Sequence, residues 1–149
     1  MNLEANRRGG YVVGTRNKSE AAVGYTVKHG DGAVDCHPIA NLYKQQVWQL
    51  GKHLGISEDL TTKIWDTKTD EEGLGIGYNT LDLILESHID GSVPAGATAE
   101  LIGVDENVVK EVRKVHKGSL HKRQPSQSPT PSTDCLVRVT RWASQRAEI

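Results

Sequence analysis

Residues 12–44 read VVGTRNKSEAAVGYTVKHGDGAVDCHPIANLYK, and this segment carries the clearest alternation of strand and helix signals in the chain. The apolar run at residues 11–13 is interrupted by Gly14, a pattern typical of a short buried strand in a parallel sheet. Asn17 and Glu20 have the spacing of a capping box, which predicts that a helix begins at this point. A strand that leads through a turn into a helix is the repeating unit of α/β proteins.

The rest of the chain extends this pattern and becomes helical. The first predicted helix runs to about Lys28 and ends at the glycines of the turn HGDG, and residues 33–39 predict a second strand. Residues 41–54 predict a helix that ends at Gly55. Later helices are predicted around residues 81–88, at 94–102 and at 105–120. The apolar faces consist of Tyr43, Val47, Leu50 and Leu54, then of Leu81, Ile84, Leu85 and His88, then of Val108, Val109, Val112, Val115 and His116. We therefore expect an α/β body with a helical C-terminal part.

The composition describes one domain of ordinary size with nearly balanced charge. The chain has 149 residues, of which 18 are Lys or Arg and 19 are Asp or Glu, for a formal net charge of -1. Coating nucleic acid or an anionic membrane requires a large positive excess, so neither partner is expected. The start MNLEANRRGG has no apolar signal segment, and no apolar run is long enough to span a membrane. Because Cys36 and Cys135 form neither a disulfide framework nor a zinc set, we expect a cytoplasmic protein.

Polar residues with nucleotide-binding chemistry recur where the predicted strands and helices begin and end. Thr15 offers a hydroxyl in the turn before the first helix, and Glu20 adds a carboxylate one turn into it. Ligands of open α/β sheets bind at such strand ends, and a carboxylate beside a phosphate site implies Mg²⁺. Lys28, Asp35 and Lys44 follow at the ends of successive elements, which suits a ligand with phosphates and ribose hydroxyls. From spacing alone, a capped surface helix with scattered charges is the alternative interpretation.

Several motifs, in order along the chain, resemble those of the ammonia-dependent NAD synthetase family. The first three lie in the segment quoted above and correspond to the patterns GT-x-N-x-SE, KxGDG and D-x-xPI. The later motifs are an acidic TDE segment that leads into G-x-x-Y-x-x-LD, and a terminal HKR. In this chain they read GTRNKSE at 14–20, KHGDG at 28–32, DCHPI at 35–39, TDEEGLGIGYNTLDLIL at 69–85 and HKR at 121–123. The resemblance covers about residues 11–123.

The resemblance implies a fold and a reaction. The implied fold is a partial, Rossmann-like PP-loop ATPase fold of the adenine nucleotide alpha hydrolase kind, with residues 1–123 as its C-terminal portion. The implied reaction is the ATP-dependent amidation of deamido-NAD with ammonia, through an adenylate, to give NAD, AMP and pyrophosphate. Mg²⁺ is the implied cofactor and ATP the co-substrate. The resemblance implies ATP contacts for Thr15 and Lys44, a Mg²⁺ ligand in Glu20, and deamido-NAD contacts for Lys28, Asp35, His121 and Lys122.

The chain also departs from the family pattern. The family's pyrophosphate loop, SGGxDS, has no counterpart, because Gly9 and Gly10 are followed by Tyr-Val-Val. The segment KIWDTKT at residues 63–69 is shorter than the corresponding family segment. We therefore expect a fragment that is inactive alone or depends on a partner, either as a homodimer or in association with a full-length synthetase. Residues 124–149 are predicted to be a disordered or unrelated tail, because they begin with the proline-rich run QPSQSPTPSTD.

A hypothesis of a different class comes from residues 95–120. Their two predicted helices, joined by a turn that contains Gly103, have the spacing of a helix-turn-helix. The second helix carries the basic residues Lys110, Arg113, Lys114 and Lys117, so a DNA-binding module is the alternative function. The net charge of -1 argues against this alternative, and the family resemblance covers the same segment.

Overall fold

The computed structural model describes residues 1–57 and 75–124, which form seven α-helices and one π-helix. The predicted TDE and KIWDTKT segments and nearly all of the predicted tail lie outside the described residues. The helices are α1 (Asn2–Arg8), α2 (Lys18–Val23), α3 (Lys44–His53), α4 (Tyr78–Ile84), the π-helix π1 (Leu85–Asp90), α5 (Ala95–Ile102), α6 (Glu106–Gly118) and α7 (Leu120–Arg123). No helix among the described residues has both the length and the apolar character that crossing a bilayer requires.

The two predicted strands meet, but they do not form a sheet in the part of the chain that the structure describes. Val13 and Cys36 form one isolated parallel bridge. The prediction of strands at residues 11–13 and 33–39 is therefore wrong as to element type, whereas their parallel arrangement is confirmed. The side chains of Tyr11 and Val13 are 83% and 59% exposed. Among the described residues no further strand pairs with these two segments, and two segments alone have too little paired backbone to be stable as a ladder, which explains the single bridge.

Gly14 allows the two bridged segments to approach closely. A Cβ atom at this position would lie 2.3 Å from the Nδ1 atom of His37 and 2.7 Å from Cγ2 of Val34. The glycine that interrupts the apolar run is therefore required by contact with the second segment.

Helix α2 begins as predicted and ends early. The Asn17 side chain accepts a hydrogen bond from the Glu20 N–H at 2.9 Å, and the Glu20 carboxylate accepts one from the Asn17 N–H at 3.2 Å, so the capping box is confirmed. The helix ends at Gly24, which has a φ of +74°, rather than near Lys28. A left-handed glycine closes the helix by satisfying its last carbonyls, and this local stop precedes the turn HGDG.

Helix α3 starts and ends within the predicted range of residues 41–54, but its predicted apolar stripe is wrong in its second half. Tyr43, the residue before the helix, is buried, whereas Leu50 and Leu54 are 38% and 65% exposed. The helix contacts α2 and α4. Periodicity identifies an apolar face, but the burial of that face depends on the neighbours available along its length.

The core lies between α4, π1 and the hairpin of α5 and α6. The predicted face of residues 81–88 is confirmed, and the hairpin helices predicted at 94–102 and 105–120 are confirmed with small changes at their ends. Gly103, with a φ of +77°, ends α5. The buried apolar residues that pack together are Ala22, Tyr43, Tyr78, Leu81, Ile84, Leu85, Ala99, Val109 and Val112.

Candidate functional site

The first feature of the site is an ion pair between the starts of two helices. The Nζ atom of Lys44, at the beginning of α3, lies 2.7 Å from Oε1 of Glu20 in α2, and the two side chains are 6% and 18% exposed. The ammonium also lies 5.0 Å from the centre of the Tyr78 ring, within cation–π distance. The structure thus brings together the predicted Mg²⁺ ligand and a predicted ATP contact. Glu20 fills its capping role at the same time, so the structural and functional interpretations of this residue are compatible.

A buried hydrogen-bond network holds the backbone beneath this ion pair. The Ser19 hydroxyl donates to the carboxylate of Asp82 in α4 and accepts from the Lys44 N–H at 2.9 Å. The other oxygen of Asp82 accepts from the Gln45 N–H at 2.9 Å. Asp82 therefore satisfies the backbone at the start of α3, where helical donors have no partner within the helix. Burial raises the pKa of Asp82, while the hydrogen bonds from Ser19 and Gln45 act in the opposite direction.

Sequence reasoning did not assign a role to Ser19 or Asp82. Asp82 lies inside the otherwise apolar face of α4, and both residues are at least 95% buried. A carboxylate in an apolar helix face needs partners in the fold, and this signal was available in the sequence.

A second carboxylate connects the same two helix starts. Asp90, the last residue of π1, forms an ion pair with Lys18 and accepts a hydrogen bond from the Tyr43 hydroxyl at 2.5 Å. The Lys18 ammonium lies 4.4 Å from the centre of the Tyr43 ring. Partial burial opposes ionisation of Asp90, but the hydrogen bonds from Lys18 and Tyr43 outweigh it and lower the pKa of this carboxyl. Burial and the neighbouring Asp90 raise the pKa of Tyr43, which keeps its hydroxyl protonated as a donor.

Two predicted deamido-NAD contacts meet beyond the C-terminal end of α2. The Nζ atom of Lys28 donates to the main-chain carbonyl of His121 in α7 at 3.0 Å, across 93 positions of sequence. His121 is exposed as a residue, and its ring Nδ1 lies 3.1 Å from the carbonyl of Gly118. The turn that carries Lys28 is fixed by Asp31, whose carboxylate accepts hydrogen bonds from the Thr26 hydroxyl at 2.9 Å and the Val27 N–H at 2.6 Å. The structure therefore places Lys28 and the exposed residue His121 on neighbouring elements.

The other predicted contact residues have structural partners or lie apart. Lys122 donates from Nζ to the carbonyl of Gly24 at 2.7 Å, at the end of α2. Asp35 accepts a hydrogen bond from the Val12 N–H at 2.6 Å, and no hydrogen bond joins Asp35 to Lys28. Thr15 is exposed in the turn before α2. The structure thus does not bring Asp35 into the Lys28–His121 contact.

Like Ser19 and Asp82, Arg123 has no role assigned from the sequence. Its guanidinium donates to the carbonyl of Ala22 at 2.7 Å and to the carbonyl of His116 at 2.6 Å. His116 in turn lies 3.1 Å from the Ala22 carbonyl through Nδ1. Burial and the positive charge of Arg123 lower the pKa of His116. The motif HKR contained this signal, because a cation near the end of a helix can bind its free carbonyls.

The chemistry of the site suits one metal contact rather than a complete metal centre. Within residues 1–57 and 75–124, no three His, Cys, Asp or Glu side chains lie close enough to hold a metal ion. Glu20 offers a carboxylate of the kind that Mg²⁺ prefers, and Mg²⁺ usually combines one or two protein carboxylates with substrate phosphates and water. The residues present therefore fit an ion that arrives with a nucleotide.

The basic face of α6 gives no support to the DNA-binding alternative. Lys110 lies 3.1 Å from Glu106, and Lys114 lies 3.3 Å from Glu111, so two of the four cations have acidic neighbours on the same helix. The apolar face of α6 contributes Val109 and Val112 to the core.

Comparison with known proteins identifies the same family as the sequence motifs, over nearly all of the segment that carries them. The model of the family described as NAD synthase matches residues 2–126. The NH(3)-dependent NAD(+) synthetase of Halobacterium salinarum is 48% identical over 130 residues, which are 84% of this chain and 48% of the relative. The enzyme of the same name from Pyrococcus horikoshii is 41% identical over 131 residues, which are 85% of this chain and 51% of the relative. The chain thus spans about half the length of the curated relatives it matches.

Two solved structures resemble the chain in three dimensions. The NMN synthetase of Francisella tularensis superposes with a TM-score of 0.65 at 30% identity, over 87% of this chain and 50% of that one. The NH3-dependent NAD synthetase of Campylobacter jejuni gives a TM-score of 0.66 at 22% identity, over 87% of this chain and 49% of that one. These matches support the predicted PP-loop ATPase fold, although the described part of this chain is mostly helical.

Proposed function

Because this chain belongs to the NAD synthase family, we propose that it acts in NAD biosynthesis, in the ATP-dependent amidation of deamido-NAD by ammonia. A carboxylate is a poor electrophile, so its oxygen first attacks the α-phosphorus of ATP, and pyrophosphate leaves. Ammonia then attacks the carbonyl carbon of the adenylate, its nitrogen loses one proton to solvent, AMP leaves with the bonding electrons, and NAD forms. The protein contributes mainly by positioning the reactants and neutralising their charge.

The observation that carries the proposal is the placement of two contacts around α2. The Glu20–Lys44 ion pair lies at its first turn, and the Lys28–His121 contact lies beyond its last. A helix of six residues is only about 9 Å long. Groups near its two ends can therefore bind two substrates that react with each other, such as ATP and deamido-NAD.

The first contact is proposed to hold the nucleotide. Lys44 binds phosphate oxygens of ATP, Glu20 is a ligand of the Mg²⁺ that accompanies them, and Thr15 contributes its hydroxyl. Bound Mg²⁺ would neutralise phosphate charge during adenylation. The 2.7 Å ion pair supports these roles, because its two members supply opposite charges that suit the phosphate and the metal respectively.

The second contact is proposed to hold the dinucleotide acid. Lys28 and His121 bind deamido-NAD, and Lys122 and Asp35 contribute from the neighbouring segments. The exposure of His121 and the hydrogen bond from Lys28 to its main-chain carbonyl support this assignment. Lys122 and Asp35 contact main-chain groups, so each contributes either after a change of partner or through the backbone that it holds.

The proposal extends to the partners and the boundaries of the synthetase portion. We place its end at residue 123, which the end of the family match at residue 126 supports. The phosphate-binding motif SGGxDS does not occur in the sequence, so we propose that the reaction requires this loop from a full-length synthetase or from another chain. Assembly as a homodimer and residence in the cytoplasm belong to the same proposal.

The test is an assay for NAD formation with deamido-NAD, ATP, Mg²⁺ and ammonium. The purified chain is assayed alone and with a separately produced N-terminal half of the Halobacterium relative. We expect NAD and AMP in equal amounts only in the mixture, and loss of both products with Glu20→Gln or Lys44→Met. Lys52→Met, at the exposed end of α3, is the matched control. If neither the chain nor the mixture forms NAD, and the chain binds neither ATP nor deamido-NAD, the proposed function is wrong.

A further inference from the structure

Helix α7 needs an external anchor. It is four residues long and has no buried residue, so neither its own hydrogen bonds nor apolar burial can fix its position. It nevertheless carries His121, whose main-chain carbonyl meets Lys28 at 3.0 Å. Side-chain contacts between α7 and other elements must therefore hold this contact in place.

Arg123 has the geometry of that anchor. One guanidinium nitrogen donates to the carbonyl of Ala22 at 2.7 Å and to the Ser119 hydroxyl at 2.5 Å. The other nitrogen donates to the carbonyl of His116 at 2.6 Å. Arg123 thus connects its own helix, α7, to the last turn of α2 and to the end of α6. These contacts fix the position of α7. Its planar fork presents two N–H groups in a fixed geometry, one toward each carbonyl, whereas an ammonium is a point charge without this fixed orientation.

The structure at the end of α2 is adapted to this contact. A Cβ atom on Gly24 would lie 2.4 Å from Cβ of Ser119, so the glycine lets the start of α7 approach α2. The Ser119 hydroxyl lies 3.0 Å from the carbonyl of Ala22, the same carbonyl that receives Arg123. The carbonyls at a helix end carry partial negative charge, which favours a cation there.

We propose that Arg123 is a positioning residue for the dinucleotide acid: by anchoring α7 to the end of α2, it sets the position of Lys28 and His121. The inference rests on the proposed role of these two residues in binding deamido-NAD. Arg123 itself does not touch the ligand. Its action is local to this end of α2, so the ATP contacts at the other end are independent of it.

The test compares Arg123→Ala and Arg123→Lys with the control Arg113→Ala, which removes an exposed cation from α6. Binding of deamido-NAD and of ATP to the full chain is measured by calorimetry, and amide hydrogen exchange is followed at residues 24–28 and 120–124. For Arg123→Ala we expect about tenfold weaker deamido-NAD binding, the order expected for loss of a hydrogen bond from a charged group, with unchanged ATP binding. Exchange should accelerate in both segments. Arg123→Lys should recover part of the affinity, and Arg113→Ala should resemble the wild type.

Two outcomes with Arg123→Ala overturn the inference and leave the proposed function intact. If Arg123→Ala binds deamido-NAD like the wild type, or loses both ligands equally with faster exchange throughout the chain, Arg123 is not a positioning residue. If the wild type binds ATP but no deamido-NAD, the assignment of Lys28 and His121 fails, and the positioning role fails with it.

Discussion

The ammonium of Lys44 lies 2.7 Å from the carboxylate of Glu20, although the two residues belong to the starts of different helices. Both side chains are largely buried, and burying two charges costs free energy that their mutual attraction only partly returns. The fold thus holds an ammonium and a carboxylate side by side despite this cost, and the proposed nucleotide contact uses both groups.

Breaking this ion pair should destabilise the chain more than removing both of its members. We expect Lys44→Met to lower the free energy of unfolding by about 3 kcal/mol, because the Glu20 carboxylate is left without its cation. The double variant Glu20→Gln with Lys44→Met should regain most of this loss. Urea unfolding measures the effect, with Lys52→Met as the control in the same helix. A double variant as unstable as the sum of the single variants would contradict an interaction between these two residues.

Gly24 should be sensitive to substitution for two separable reasons. Gly24→Ala places a Cβ atom on a residue with a φ of +74° and brings it within 2.4 Å of Ser119. Gly55 has the same φ but no atom within 4 Å of the added Cβ, so Gly55→Ala measures the backbone strain alone. We expect about 1 kcal/mol for Gly55→Ala and about 2–4 kcal/mol for Gly24→Ala in thermal or urea unfolding. Equal losses in the two variants would show that Ser119 moves away freely.

Local signals predicted the parts of the fold that depend on neighbouring residues. The capping box of Asn17 and Glu20 spans one helical turn, so the sequence contains all of its determinants. The apolar faces of α4 and α6 were also predicted, because each is wide and regular. The faces of other elements depend on distant partners: Leu50 continues the apolar stripe of α3 and is nevertheless exposed.

The site shows the same division between local and distant information. Lys28 and His121 were each predicted as ligand contacts from motifs, but their mutual contact, across 93 positions, follows from no spacing rule. The roles of Asp82 and Arg123 depend on which backbone groups the fold leaves without partners. Which of these backbone groups need a side-chain partner is decided only when helices from separate parts of the chain pack together.

The stability of the chain should decrease as the pH falls below about 6.5 because of His116. Burial and the charge of Arg123 lower the pKa of His116 from its ordinary value of 6.5, although the Ala22 carbonyl and Asp90 act in the opposite direction. Between the two pKa values the unfolded chain binds more protons than the folded chain, so acid favours unfolding. The effect is absent above this window, where the ring is neutral in both states.

The pH effect of His116 can be isolated by comparison. The pKa of His37 is also lowered, by burial and by Arg16, and adds a slope of the same sign. Urea unfolding between pH 7.5 and pH 5 should therefore show a smaller slope for His116→Asn than for the wild type. His53→Asn, at the exposed end of α3, is the matched control. Superimposable profiles for His116→Asn and the wild type would refute the contribution of His116.

The Tyr43 hydroxyl should stabilise the junction of α2, α3 and π1 through its hydrogen bond to Asp90. Tyr43→Phe removes the 2.5 Å hydrogen bond but keeps the buried ring under the Lys18 ammonium. Asp90 keeps Lys18 as a partner, and its side chain is 42% exposed, so water replaces part of the lost interaction. We therefore expect a loss of about 1 kcal/mol in urea unfolding, somewhat less than the roughly 1.5–3 kcal/mol that is usual for hydrogen bonds to charged groups. Tyr11→Phe, in which the ring is 83% exposed, should have no measurable effect. If Tyr43→Phe is as stable as Tyr11→Phe, Asp90 is held by Lys18 alone, and the hydroxyl adds nothing to the junction.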